Sequence, residues 1–284
     1  MMRSRLTSVE DGMATRQHLL TKVALVVVAV TIWSIEAPAR ADNVITLSPR
    51  PGVMQMFLLW DPSPSDPQVV LLIFPGGGGN IGFETINGYV VARTGYLFSR
   101  QRDLVQRPEV AVAVITAPSD RPDMDAEFRR SAQHSEDMAA VMDVLKSRFP
   151  KGRLVLLGHS RGTVSAAYVG QALGDRVGAV ILVSGFYDRD PRRGVGLSEF
   201  NFDGLKTPLL IVHHVKDLCP TTLFGSAQKL TERFPSIVVD GPDETRTEQP
   251  CAPGTNHWFA RREKETIDQV FNWLHGKTWS RLIR

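Results

Sequence analysis

Five short runs in this 284-residue chain are apolar at almost every position: Val69–Phe74, Val110–Thr116, Leu154–Leu157, Val180–Val183 and Leu209–Val212. Ile237–Val239 makes a sixth. A strand with one wet face alternates apolar and polar residues. A strand that is apolar on both faces needs cover on both, as inside a parallel sheet. Amphipathic segments lie between the runs. Residues 129–149 place Ala132, Met138, Val141, Met142, Leu145 and Phe149 near helical spacing, and residues 161–173 are Ala-rich and end at Gly174. Residues 221–234 and 263–275 each carry an apolar stripe. Strands alternating with helices predict βαβ units and an α/β fold, a mostly parallel twisted sheet with helices on both faces. Ahead of it, 43–47 and 53–60 flank Pro49-Arg50-Pro51-Gly52 and read as a strand pair with a turn.

The N-terminus reads as an address. Arg16 and Lys22 precede the uncharged stretch 23–35, and Ala39-Arg40-Ala41 follows it. A basic flank, an apolar run and a small-x-small site form the layout of a secretory signal peptide. The expected organisation is therefore a leader over 1–41, cleaved near Ala41, and a single domain over 42–284. Export would place the domain in the periplasm or outside the cell. The uncharged stretch has 13 residues, against roughly 20 for a membrane span. The alternative is an uncleaved N-terminal anchor, and only then would a membrane be a partner. Residues 1–41 hold five of the 33 basic and three of the 30 acidic residues, so the net charge drops from +3 to +1 without them. The basic residues are scattered, which argues against a nucleic-acid partner.

The chemistry concentrates at Gly158-His159-Ser160-Arg161-Gly162, between the run Leu154–Leu157 and the helical segment 161–173. A serine on a sharp strand-to-helix turn is exposed above the strand end. Small residues two before and two after it let strand and helix pass closely. With this motif in this context, the chain resembles the α/β-hydrolase superfamily over about residues 43–276. The resemblance implies that Ser160 is the nucleophile. It also implies an oxyanion loop at Phe74-Pro75-Gly76-Gly77-Gly78-Gly79-Asn80, where N–H groups of Gly77 or Gly78, with that of Arg161, would receive the developing charge. A rival reading takes Gly77, Gly79 and Gly82 as a dinucleotide fingerprint. No helix pattern starts at Asn80 and no acidic residue ends a following strand, so no cofactor is expected.

The superfamily's acid follows a late strand and its histidine precedes the last helix. Asp217, just past Leu209–Val212, is the expected acid, with Asp188 as the alternative. His257, in Gly254-Thr255-Asn256-His257-Trp258-Phe259, is the expected base, and Ser160, Asp217 and His257 keep the order Ser…Asp…His. His213 and His214 are adjacent on a strand and point to opposite faces, so no metal site is expected; one of them is read as a binding-pocket residue. Cys219 lies two residues after Asp217 and Cys251 six before His257. A disulfide between them would clamp the acid and histidine loops, which export permits. Only about 25 residues between Val183 and Leu209 are free for a cap. Their aromatics are mixed with Asp188, Arg189, Asp190, Arg192 and Arg193, which suggests a small polar flap and a small or soluble ester as substrate. A thioesterase or small peptidase on the same residues, and a non-catalytic binding protein on the same fold, are the alternatives.

Overall fold

Each doubly apolar run becomes a buried strand. The computed structural model describes residues 43–62, 66–86, 89–92, 102–241 and 248–284, all within the unit Arg40–Arg284. The leader expected over 1–41 lies outside the described residues. β1 (Asn43–Arg50) and β2 (Val53–Trp60) form the antiparallel pair, turned by Gly52 at φ 72°. β3 (Val69–Phe74) follows, then the short strands β4 (Phe83–Ile86) and β5 (Tyr89–Ala92), α1 (Arg102–Val105) and β6 (Val110–Ile115). After them come α2 (Ala126–Arg129), α3 (Ala132–Arg148), β7 (Arg153–His159), α4 (Gly162–Ala172) and β8 (Ala179–Val183). The chain ends with β9 (Leu209–His214), α5 (Phe224–Arg233), β10 (Ser236–Val239), α6 (Glu263–Leu274) and β11 (Leu282–Ile283).

Among the described residues, nine strands form one sheet in the order β1-β2-β6-β3-β7-β8-β9-β10-β11. The β1–β2 and β2–β6 pairings are antiparallel and the rest are parallel. Strand alternation divides the core between two faces. On one, Leu72, Leu156, Leu182 and Ile211 pack with Met138 and Leu145 of α3, Val164 of α4 and Ala227 of α5. On the other, Ile73, Leu157, Ile181 and Val212 pack with Ile267, Val270 and Phe271 of α6. The neighbouring parallel strands β3, β7, β8 and β9 thus end at the same edge of the sheet, at their carboxyl termini, where ligands bind in open α/β sheets.

Three strands depart from the sequence reading. β4 and β5 form a separate two-stranded antiparallel sheet. β11 adds a final parallel strand beside β10; it is two residues long, too short for a periodic signal, and its partner's open edge supplies the pairing. The segment between β8 and β9 is small, as expected, with a single-turn helix at Phe202–Gly204. Its Phe186, Tyr187 and Phe200 are buried in the main core rather than forming a lid.

His134 of α3 shows what burial does to a titrating ring. It is fully buried, its ring nitrogens have no hydrogen-bond partner among the described residues, and it packs against Phe74 and Phe128 as an aromatic would. Burial, helped by the charges of Arg129 and Arg50, pushes its pKa down to about 3. Below about pH 6.5 the unfolded chain binds a proton that the folded chain refuses, so stability falls as pH drops from there towards the folded value. His134→Phe should flatten that fall by up to about 1.4 kcal/mol per pH unit. Urea unfolding of both proteins at pH 7 and pH 5 measures it.

Candidate active site

Close packing builds the turn that carries Ser160. The residue sits between β7 and α4 at φ 55°, in the left-handed region that costs a non-glycine residue energy. Its N–H donates to Val183 O (2.9 Å), and its carbonyl accepts from Thr163 N (3.0 Å) and Thr163 Oγ1 (2.6 Å). The flanking glycines are required by contact. A Cβ on Gly158 would lie 2.4 Å from Gly162 O, and one on Gly162 would lie 2.0 Å from Phe74 O. Gly76 is held small by the serine itself, since its Cβ would meet Ser160 Cβ at 2.9 Å.

The expected acid and base meet. His257 Nδ1 donates to Asp217 Oδ2 at 2.8 Å, and both side chains are almost fully buried. Asp188, the alternative acid, is exposed. Asp217 Oδ1 accepts from Cys219 N (2.9 Å). Thr222 Oγ1 donates to Asp217 Oδ2 at 3.0 Å and stands 3.0 Å from His257 Nδ1 as well. Burial works to raise the Asp217 pKa; the charge and hydrogen bond of His257, with His213 and the Cys219 N–H, outweigh it and hold the carboxyl below its usual range. The His257 carbonyl is fixed by Ser184 Oγ (3.0 Å) and His159 Nε2 (3.2 Å). Asn256 Nδ2 donates to Lys216 O (3.2 Å), joining the two loops. Burial holds His159 neutral, its pKa near 3, and His213 near 4.

His213 and His214 differ from expectation. Neither lines the cleft beside Ser160. His213 donates through Nε2 to Thr222 O (2.7 Å) and His214 through Nε2 to Gly241 O (3.0 Å). They therefore brace the acid loop and the end of the sheet. No group of metal-ligating side chains occurs among the described residues.

Gly77 lines the cleft with Gly76 and Arg161, whereas Gly78 does not. Gly78 lies against Asp123, where a Cβ would come within 2.3 Å of Oδ1, and its carbonyl accepts from Met124 N (2.8 Å). The sequence reading missed the residue beneath this loop. Arg129 is fully buried, and its Nη2 donates to Gly77 O (3.0 Å) and Pro75 O (3.3 Å), its Nη1 to Ser165 Oγ (2.9 Å) and its Nε to Met124 O (3.3 Å). In a trans peptide the N–H points opposite to the C=O. Anchoring these carbonyls turns the N–H groups of Gly76 and Gly78 away from Arg129. Arg129 and Thr222 stand outside any short motif, so no local signal marks them.

Ser160, His257, Gly77 and Arg161 open onto one cleft of about 610 Å³. Its far wall includes Cys219 and Cys251, which are joined in a disulfide across 32 residues. Trp258 Nε1 donates to Cys251 O (2.8 Å), so the bridge reaches the histidine turn by a second route.

A family model described as the alpha/beta hydrolase fold matches residues 69–210, and the chain belongs to that family. Solved structures share the fold at low identity. The 2,6-dihydroxy-pseudo-oxynicotine hydrolase is 18% identical with a TM-score of 0.56, over 86% of this chain and 71% of that one. Est1E from Butyrivibrio proteoclasticus is 14% identical with a TM-score of 0.56, over 82% and 98%. A serine hydrolase without a lid from Xanthomonas campestris is 15% identical with a TM-score of 0.53, over 83% and 93%. Among curated proteins no sequence matches the chain. The family model and these solved structures agree on the fold of the alpha/beta hydrolases.

Arg129→Met should lower stability by about 2–4 kcal/mol, because the carbonyls it leaves are buried without a donor; urea titration measures this. Reducing the Cys219–Cys251 bridge should cost a further ~3–4 kcal/mol by freeing a loop of this length in the unfolded chain. Melts with and without reductant read that loss.

Proposed function

We propose that the protein is an exported serine hydrolase that cleaves a small or soluble carboxylic ester through an acyl-enzyme. The hydrogen bond from His257 Nδ1 to Asp217 Oδ2 carries the reading. It leaves Nε2 of His257 as the basic nitrogen, in the cleft that Ser160 also lines. Ser160 Oγ attacks the ester carbonyl and His257 Nε2 takes its proton. The carbonyl oxygen becomes an oxyanion, received by backbone N–H groups of the glycine loop and of Arg161. The tetrahedral species collapses, His257 returns the proton to the departing alcohol, and the acyl group stays on Ser160. Water, deprotonated by His257, repeats the attack and releases the carboxylic acid. Asp217 holds the His257 tautomer throughout and stabilises the imidazolium.

Two observations support export. The run 23–35 lies between basic residues and a small-x-small site. The disulfide fits an oxidising compartment. The preference for a small or soluble substrate over a long-chain one rests on the small segment between β8 and β9.

The purified chain lacking 1–41 should hydrolyse short p-nitrophenyl esters. Ser160→Ala should lower kcat by a factor on the order of 10⁶ and Asp217→Asn by about 10⁴. Steady-state kinetics measure both, and turnover unchanged in the serine variant would refute the assignment.

A further inference from the structure

The cleft beside Ser160 has an electrostatic bias that the proposed chemistry does not need. Among the described residues, the charged ones that line it are three arginines, Arg161, Arg192 and Arg193, and one acid, Asp190. The chain as a whole is nearly balanced, with 33 basic and 30 acidic residues. The excess is therefore local.

The loop that presents two of these arginines is closed on itself. Asp190 N donates to Gly194 O (2.9 Å) and Gly194 N to Asp190 O (2.9 Å), with Gly194 at φ 93° closing the turn. The Asp190 carboxylate is spent on the loop's own backbone, its Oδ1 accepting from Arg192 N and Arg193 N, both at 2.8 Å. Neither the Arg192 nor the Arg193 guanidinium has a carboxylate within 4.0 Å among the described residues. Neighbouring arginines behave differently: Arg189 pairs with Glu199 at 2.6 Å and Arg130 with Glu199 at 2.8 Å. At the inner end of the cleft Arg161 adds charge; its Nη2 is on Met124 O (3.0 Å) and its Nη1 lies 3.9 Å from Asp123 Oδ1. A guanidinium is always charged and offers a planar fork of donors that matches a carboxylate or phosphate.

We propose that the substrate is an ester bearing a second, anionic group, a carboxylate or a phosphate, which Arg192 and Arg193 receive at the cleft mouth. The proposal rests on the serine-hydrolase reading and adds its substrate class. The anion is held at the rim while the ester carbonyl reaches Ser160. Neutral esters of the same length lack that anchor.

The test uses the folded chain and an uncharged fluorophosphonate that labels Ser160. The rate of labelling is followed against rising glutarate, propyl phosphate and glutaramide, and each protein's own unprotected rate is the reference. One or both anions should slow labelling, and the one that does so identifies the group, while neutral glutaramide should not. In the Arg192→Glu/Arg193→Glu variant the half-protecting concentration should rise at least about tenfold. Protection should also weaken with added salt. Equal protection by glutaramide, no protection by either anion, or an unchanged half-protecting concentration in the variant would overturn the proposal. Absence of labelling in the wild-type chain would overturn the serine-hydrolase reading itself, and this one with it.

Discussion

The site depends on one close approach. Gly162 at the start of α4 lies so near Phe74 O at the end of β3 that no side chain fits between them, and Gly158 lies as close to Gly162. That packing lets β7 turn into α4 within two residues and holds Ser160 at a positive φ. Strain at such a residue persists only where the surroundings over-determine it. Here a backbone bond to Val183 O, two bonds from Thr163 and the wall of Gly76 do so. The same approach places the glycine loop after β3 beside the serine, so Ser160 and the loop are set by one contact.

The second half of the site is assembled across the sheet. Asp217 follows β9 and His257 lies on a turn before α6. The two are 40 residues apart in the chain yet share a 2.8 Å hydrogen bond. Asn256 on Lys216 O, Trp258 on Cys251 O and the Cys219–Cys251 bridge all tie these loops together. The carboxylate can stay charged in a buried place because His257, His213 and a backbone N–H surround it.

Much of this was legible in the residues. The doubly apolar runs named the parallel strands, since only a sheet covered on both faces buries them. The glycines around Ser160 marked the elbow, and the superfamily resemblance pointed to His257 and to Asp217, with Asp188 left as the alternative. What was hidden depends on contacts between distant residues. Arg129 reads as one charge on an amphipathic stretch, and only the fold turns it under the glycine loop. Thr222 reads as a loop threonine until Asp217 and His257 close on it. One of His213 and His214 looked like a pocket residue because a sequence shows which faces they point to, and not what covers those faces. β11 has too few residues for any period, and its pairing is decided by the exposed edge of β10.

In the proposed mechanism Ser160 carries the acyl group during turnover. Peptide mass analysis of the wild-type chain, acid-quenched within milliseconds of mixing with excess p-nitrophenyl ester, tests it most directly. The mass of the acyl group should be found on the peptide containing Ser160, appearing before steady-state product and lost when the ester is exhausted. Turnover with Ser160 unmodified at every time, or with the acyl group on another residue, would contradict it.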